Sequence, residues 1–260
     1  MKRTLISLSI LLASNVCLAA EIESADGKNK RESAPAEEPF WAPDAALSLT
    51  FMTDNRFRGI SSTDARPGMS AVVEAFTGPF YLGTMWLNTD YGTADPNTAE
   101  WDFWIGARPS WNNLRFDFNA TYVYVTPEES GNYLEYKAGV EADLFDGVAI
   151  GLNYYYSPDW RDLGVRENVL ESTAKYKFDD HWSASALVGK TFLSGDVIDD
   201  WTYWNAGVSY NLTPEVKLDL RYHDTDIPSS SCITSSACSG RLIFSFNVAT
   251  TVRQLLSASE

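Results

Sequence analysis

Beyond its first twenty positions the sequence has no apolar run of about eighteen residues, the length an α-helix needs to cross a bilayer. A helical membrane protein is therefore excluded. After position 44 no stretch repeats apolar residues every three to four positions, which excludes helical bundles and folds that alternate strands with helices. Bases are scarce: 20 Lys and Arg stand beside 35 Asp and Glu, for a net charge of −15. Such a chain repels phosphates, so nucleic acid is excluded as a partner. Cysteine is sparse too. Cys17 falls in the first twenty residues, leaving Cys232 and Cys238 with five residues between them in a Ser-rich segment. In an oxidising compartment this spacing predicts one local disulfide stapling a loop. No second Cys or His pair accompanies them, so a metal site is the weaker reading.

What is present begins with a short basic head, Lys2 and Arg3, an apolar stretch over 5–12, and a small-residue end, Cys17-Leu18-Ala19-Ala20. That layout predicts a secretory signal peptide over 1–20, cleaved after Ala19 or Ala20. Val16 stands where a lipoprotein signal needs a small residue before its cysteine, which argues against lipidation. Residues 21–44 are polar, charged and aperiodic, and read as a flexible periplasmic leader.

From Ala45 the pattern changes to short runs with a period of two, the period of a pleated strand. Phe116, Phe118, Ala120, Tyr122 and Tyr124 alternate with Arg115, Asp117, Asn119 and Thr121. Leu134, Tyr136, Ala138, Val140, Ala142 and Leu144 alternate with Glu135, Lys137, Gly139, Glu141 and Asp143. Twelve such runs lie near 45–58, 67–77, 79–91, 98–109, 113–126, 131–144, 147–157, 168–178, 182–193, 200–211, 215–224 and 240–250. Tight connections and longer ones alternate strictly between them. The expected fold is all-β: a transmembrane, antiparallel, up-and-down β-barrel of about 12 strands over 45–250. Short turns and both termini would face the periplasm of a Gram-negative outer membrane, long loops the outside. Residues 251–260 read as a polar C-terminal tail. Expected partners are outer-membrane lipid, lipopolysaccharide and the barrel-assembly machinery.

A soluble β-sandwich or lipocalin-like barrel would bury the aromatic faces instead. Two features weigh against it. The polar faces carry charges of both signs, and aromatics crowd at run ends: Trp101, Tyr122, Tyr124, Tyr154, Tyr156, Trp182, Trp201 and Tyr222. Parity then assigns the lumen. Inward acids are Asp54, Glu74, Asp90, Glu100, Asp102, Asp117, Glu135, Glu141, Asp143, Glu171 and Asp219. Inward bases are Arg56, Arg58, Arg108, Arg115, Lys137, Lys175, Lys177, Lys217, Arg221 and Arg241. The two signs nearly balance, so excess acid falls in the leader and in outer loops that hold Glu128, Glu129, Asp159, Asp162, Asp196, Asp199, Asp200, Asp224 and Asp226. A balanced lumen pairs its charges and narrows the path. It predicts a porin-like channel of weak charge selectivity, passing small neutral or zwitterionic solutes. The alternative is a closed structural or adhesive barrel that displays acidic loops, with the loop 229–239 capping its mouth.

An enzyme is the remote reading. Outer-membrane lipid-modifying enzymes need a nucleophile and base near the outer leaflet. His181 falls in a periplasmic turn, and His223, with Ser245 and Asp219 nearby, fits no short catalytic motif. The pairs Glu100/Asp102 and Glu141/Asp143 share one strand face rather than facing across a cleft, so lumen lining suits them better than glycoside hydrolysis. Asp196, Asp199 and Asp200 lack EF-hand spacing and read as a solvated loop. Nothing here calls for a cofactor.

The run Thr53-Asp54-Asn55-Arg56-Phe57-Arg58-Gly59-Ile60-Ser61 resembles the opening strand of the TorF-like porins, the Gcw_chp family, whose usual text is close to S-D-Y-x-F-R-G-x-S. Glu100-Trp101-Asp102, Phe116-Asp117-Phe118 before Tyr122-Val123-Tyr124, Tyr133-Leu134-Glu135 and Tyr154-Tyr155-Tyr156-Ser157-Pro158-Asp159-Trp160 extend the likeness over most of 45–250. The resemblance implies an outer-membrane barrel of porin type and says little of substrate. Asn55 departs from the usual Tyr. A polar tail replaces a terminal aromatic, leaving Phe244 or Phe246 to serve as assembly signal. Spaced two apart on a strand, Arg56 and Arg58 would both enter the lumen near its outer mouth. There they would form an anion contact or, more simply, pair with Asp54 and Glu74 and hold the wall. Gly59 would let the chain turn with φ > 0.

Overall fold

The computed structural model of the chain describes residues 41–91, 97–127, 131–195, 199–232 and 234–257. The expected signal peptide, most of the leader, Glu128, Glu129, Asp196 and the last three residues lie outside them. Twelve long strands follow in order: β1 Asp44–Met52, β2 Gly68–Thr77, β3 Phe80–Asn88, β4 Ala99–Ala107, β5 Leu114–Thr126, β6 Tyr133–Phe145, β7 Val148–Ser157, β8 Glu167–Lys177, β9 Trp182–Leu193, β10 Trp201–Asn211, β11 Val216–Thr225 and β12 Arg241–Thr251. Each pairs antiparallel with its sequence neighbours, and β12 pairs with β1, Leu49 opposite Val248 and Phe51 opposite Phe246. The sheet is thus a closed up-and-down barrel of 12 strands with no free edge.

Alternation decides which side chains face which way. Leu82, Phe103, Ile105, Leu152, Leu220 and Phe244 stand exposed on the outer face, while their strand neighbours Tyr81, Asp102, Trp104 and Ile243 are buried. An apolar band this continuous is what acyl chains cover. Aromatics rim the short-turn end. Trp41 stacks on Phe80 with centroids 6.2 Å apart, and Trp111, Phe145, Phe178 and Trp182 are exposed there. Of the aromatics expected in the girdle, Trp201 is misassigned: it is buried and points inward.

The short turns close by local chemistry. Gly78 and Gly147 take φ of 52° and 76°, values that L side chains rarely adopt. At the β8–β9 turn the Asp179 carboxylate accepts the N–H groups of His181 and Trp182 at 2.8 and 2.7 Å. Those two donors hold the carboxyl below its ordinary range.

Two boundaries differ from the sequence reading. The first strand was expected to run to residue 58 but ends at Met52, and the chain then leaves the wall and turns into the barrel. The tail expected over 251–260 begins one residue later, since Thr251 closes β12, and it opens with a helix, α1 Val252–Ser257, whose Leu255 and Leu256 are exposed. A capping box starts it. Thr251 Oγ1 accepts the Gln254 N–H at 3.2 Å, and Gln254 Oε1 accepts the Thr251 N–H at 2.9 Å.

If the outer band meets hydrocarbon, Leu152→Arg in mid-β7 should destabilise the folded barrel by about 2–4 kcal/mol. Reversible denaturant unfolding in lipid vesicles would measure it, and an unchanged midpoint would contradict the assignment.

Candidate functional site

Residues 53–67 form a loop that folds into the barrel from its long-loop end. Thr53 still bonds β12, donating its N–H to Phe244 O at 3.0 Å. Beyond it the chain turns inward, and residues 54–63 are all buried. Asp54 organises the loop. Its carboxylate accepts Arg56 Nε at 2.8 Å, Ser61 Oγ at 2.5 Å and Thr63 Oγ1 at 3.1 Å. A two-rung hairpin, Arg56–Phe57 against Ile60–Ser61, forms its tip. Arg58 and Gly59 turn that tip with φ of 48° and 84°. A Cβ on Gly59 would meet Thr225 and Tyr203 side chains at 2.8 Å, so only glycine lets the tip press against the wall.

Arg58 anchors the tip to the far wall. Its guanidinium donates to Glu135 at 2.7 Å and Glu167 at 2.8 Å, lies 4.3 Å from the Phe57 ring centroid, and its carbonyl accepts Trp201 Nε1 at 3.0 Å. Around the ion pair Phe57 and Ile60 pack in one buried cluster with Leu87, Val125, Tyr133, Val169, Trp160 and Trp201. Trp160 comes from a second infolded loop, 158–166. The same layer holds buried polar atoms without a protein partner, including Arg58 Nε, Asp102 Oδ1, Glu167 Oε1 and Trp160 Nε1. Such atoms in a folded chain face water or a polar solute.

Below this stopper the lumen opens. Along the inward face of β6, side-chain exposure climbs from 4% at Glu135 through 10% at Lys137 and 23% at Glu141 to 51% at Asp143. Water therefore enters from the short-turn end and stops at loop 53–67. A cavity of about 280 Å³ lies between. Neutral polar side chains, among them Ser48, Thr50, Ser70, Ser245 and Asn247, and charged ones, among them Asp54, Arg56, Lys137, Lys175, Lys217, Asp219 and Arg221, line it together.

The charges on this wall are paired, most of them across strands and Arg221 with Asp219 along β11. Arg108 donates to Glu74 at 2.6 Å, and Trp104 Nε1 reaches the same carboxylate at 2.8 Å. Lys137 pairs with Asp117 at 2.7 Å, Lys175 with Glu141 at 3.0 Å, and Arg221 with Asp219 at 3.1 Å. Arg115 bonds both Glu141 and Asp143 at the short-turn rim. Tyr155 and Tyr203 hydroxyls donate to Glu171 at 3.0 and 2.7 Å. Among the described residues no group of three or more His, Cys, Asp or Glu is placed to hold a metal ion.

The residues singled out from sequence thus fall in three layers. Arg58, Glu135, Glu100 and Asp102 are buried with the stopper. Asp54, Arg56, Glu74, Lys137, Lys175, Asp219 and Arg221 line the cavity, Arg108 and Asp117 pair with its Glu74 and Lys137, and Arg115 and Glu141 lie toward the short-turn rim. Arg241 stands at the long-loop end and donates to Ala65 O of the infolded loop at 3.1 Å. Arg56 does pair with Asp54. Arg58 pairs with neither Asp54 nor Glu74, because the strand that would have carried it ends six residues earlier. Glu167 was missed as an Arg58 partner. It lies one residue outside its expected strand, although counting back by twos from Lys175 and Glu171 places it inward.

Residues 38–253 match the profile of a family described as "Bacterial protein of unknown function (Gcw_chp)". Among curated proteins none matches. Solved structures titled "KdgM porin" and "NanC porin" share the fold. The first is 10% identical, with TM-score 0.53, covering 79% of this chain and 97% of its own. The second is 8% identical, with TM-score 0.56, covering 78% and 98%.

Arg58→Ala would leave Glu135 and Glu167 buried without their cation, a change that typically costs about 3–5 kcal/mol. The loop should loosen before the barrel does. Amide exchange at Ser61 and Ser62 should accelerate sharply in the variant while mid-strand amides stay protected. Equal exchange in both proteins would show that Arg58 does not hold the loop.

Proposed function

The chain belongs to the Gcw_chp family of bacterial proteins, and we propose that it is an outer-membrane porin-like channel that rests closed and conducts when loop 53–67 withdraws. One observation carries this reading: a water-accessible, charge-lined cavity ends against a loop, residues 53–67, that is itself no part of the wall sheet. A barrel filled for stability alone would be packed by its own wall side chains. Here a separate segment does the filling, and it leaves buried polar atoms that a hydrated path would satisfy.

In this reading the apolar band meets lipid, the long loops face the lipopolysaccharide side, and the termini lie in the periplasm after signal cleavage and delivery by the barrel-assembly machinery. The porin character implied by the TorF-like resemblance belongs to the same proposal. Because the cavity charges pair with one another, the open path favours small neutral or zwitterionic solutes over ions of either sign. Passage is passive and no step involves covalent chemistry.

A second reading, a closed structural barrel displaying acidic loops, draws on the buried Arg58 ion pairs and the apolar cluster around them. Planar-bilayer recording separates the two. The intact protein should give rare, small openings, whereas a variant with residues 55–65 replaced by a short Gly-Ser linker should conduct steadily with little preference between K⁺ and Cl⁻. A silent but correctly folded loop-replacement variant would establish the structural barrel instead.

A further inference from the structure

We infer that the disulfide-closed segment Cys232–Cys238 is a latch that holds loop 53–67 inside the barrel, an inference that rests on the channel reading above. The disulfide closes a small ring in the connection between β11 and β12. That ring meets the infolded loop at Arg56, Ser61 and Asp64. Ser61 N–H donates to Ala237 O at 2.8 Å. Arg56 Nη2 reaches Ser236 O at 3.4 Å. Thr234 Oγ1 and Ser236 Oγ both donate to the Asp64 carboxylate, the latter at 2.9 Å. Ala237 and Cys238 are buried in the same cluster as Phe57 and Ile60.

Asp64 shows how these contacts act. Burial would raise its carboxyl, but the hydroxyls of Thr234 and Ser236 and the charge of Arg66 outweigh it, leaving the group below its ordinary value. The hydroxyls therefore bind the charged form.

The latch depends on the covalent link. Residues 229–239 are rich in Ser and hold few apolar side chains, so uncrosslinked they gain little from packing and lose much entropy on ordering. Closing the ring removes part of that freedom beforehand. It fixes Ser236 and Ala237 as acceptors at the spacing that Arg56 and Ser61 require. An external dithiol would reverse this. Its thiolate attacks Cys232 Sγ, the more exposed sulfur, and Cys238 leaves as a thiolate and takes a proton. The reagent then closes into its own cyclic disulfide. Two electrons pass to the protein, leaving two thiols and an open loop.

The full chain in planar bilayers tests this, with dithiothreitol as the probe on the long-loop side. Open time should rise about tenfold or more, the shift expected from losing one or more ordinary hydrogen-bonded contacts. The double variant Cys232→Ser/Cys238→Ser should start in the open regime and ignore the reagent. Asp64→Ala, with its disulfide intact, should show a smaller rise. Heat-shifted gel mobility confirms that each barrel is folded. Should the double variant fail to fold, dithiothreitol on wild type and Asp64→Ala decide the matter. The 55–65 replacement separates the two claims. If it conducts while the reagent and Asp64→Ala leave wild type closed, the latch is overturned and the channel stands. If it too is silent, both fall.

Discussion

The arrangement depends on one buried interaction, the Arg58 guanidinium shared between Glu135 and Glu167. A guanidinium removed from water loses several kcal/mol unless carboxylates meet it with good geometry. β6 and β8 each offer one at the same depth, and Arg58 reaches them only if loop 53–67 crosses the barrel. Placing the charge therefore places the loop. The loop in turn carries Phe57 and Ile60 into contact with Trp160, Trp201 and Tyr133, so an apolar cluster forms inside the barrel.

This divides the lumen into two parts with different physics. Toward the long loops it is closed, and there Arg58 meets Glu135 and Glu167 at close range in low dielectric, where each partner is expensive to remove. Toward the short turns it is wet, and the cross-strand pairs Lys137–Asp117, Lys175–Glu141 and Arg115–Glu141 are increasingly screened. Wall and stopper are thus held by different forces. The wall is closed by backbone hydrogen bonds with no free edge. The stopper is held by side chains, by the Arg58 carbonyl bonded to Trp201 and the Ser62 carbonyl bonded to the Asp90 N–H, and by the disulfide-closed loop above it. Motion of the stopper need not disturb the barrel.

Much of this was legible in the sequence, because a period of two depends only on the pleat. Strand number, the alternation of short and long connections, and the inward or outward sense of residues such as Phe118 and Lys137 all follow from it. What parity does not reveal is where a strand stops. Thr53-Asp54-Asn55-Arg56-Phe57-Arg58 alternates like a strand, and nothing local marks Met52 as its end. The deciding contacts, Arg58 with Glu135 and Glu167, span most of the barrel's width and are invisible to a local reading. Trp201 failed for a related reason: an aromatic at a strand end was read as an interfacial anchor although its indole N–H serves the Arg58 carbonyl. The helix 252–257 did leave a signal, Thr251 and Gln254 at capping-box spacing. The motif residues that carry the family likeness, Asp54, Phe57, Arg58, Gly59 and Ser61, turn out to build the stopper rather than a wall strand.

The central claim is that the lumen admits water from the short-turn end alone. Ser245→Cys places one free thiol in the cavity, since Cys232 and Cys238 are paired with each other. In vesicles of known barrel orientation, a membrane-impermeant maleimide applied at the short-turn face should label that thiol readily, and the same reagent at the long-loop face should leave it unmodified. Equal labelling from both faces would contradict the account.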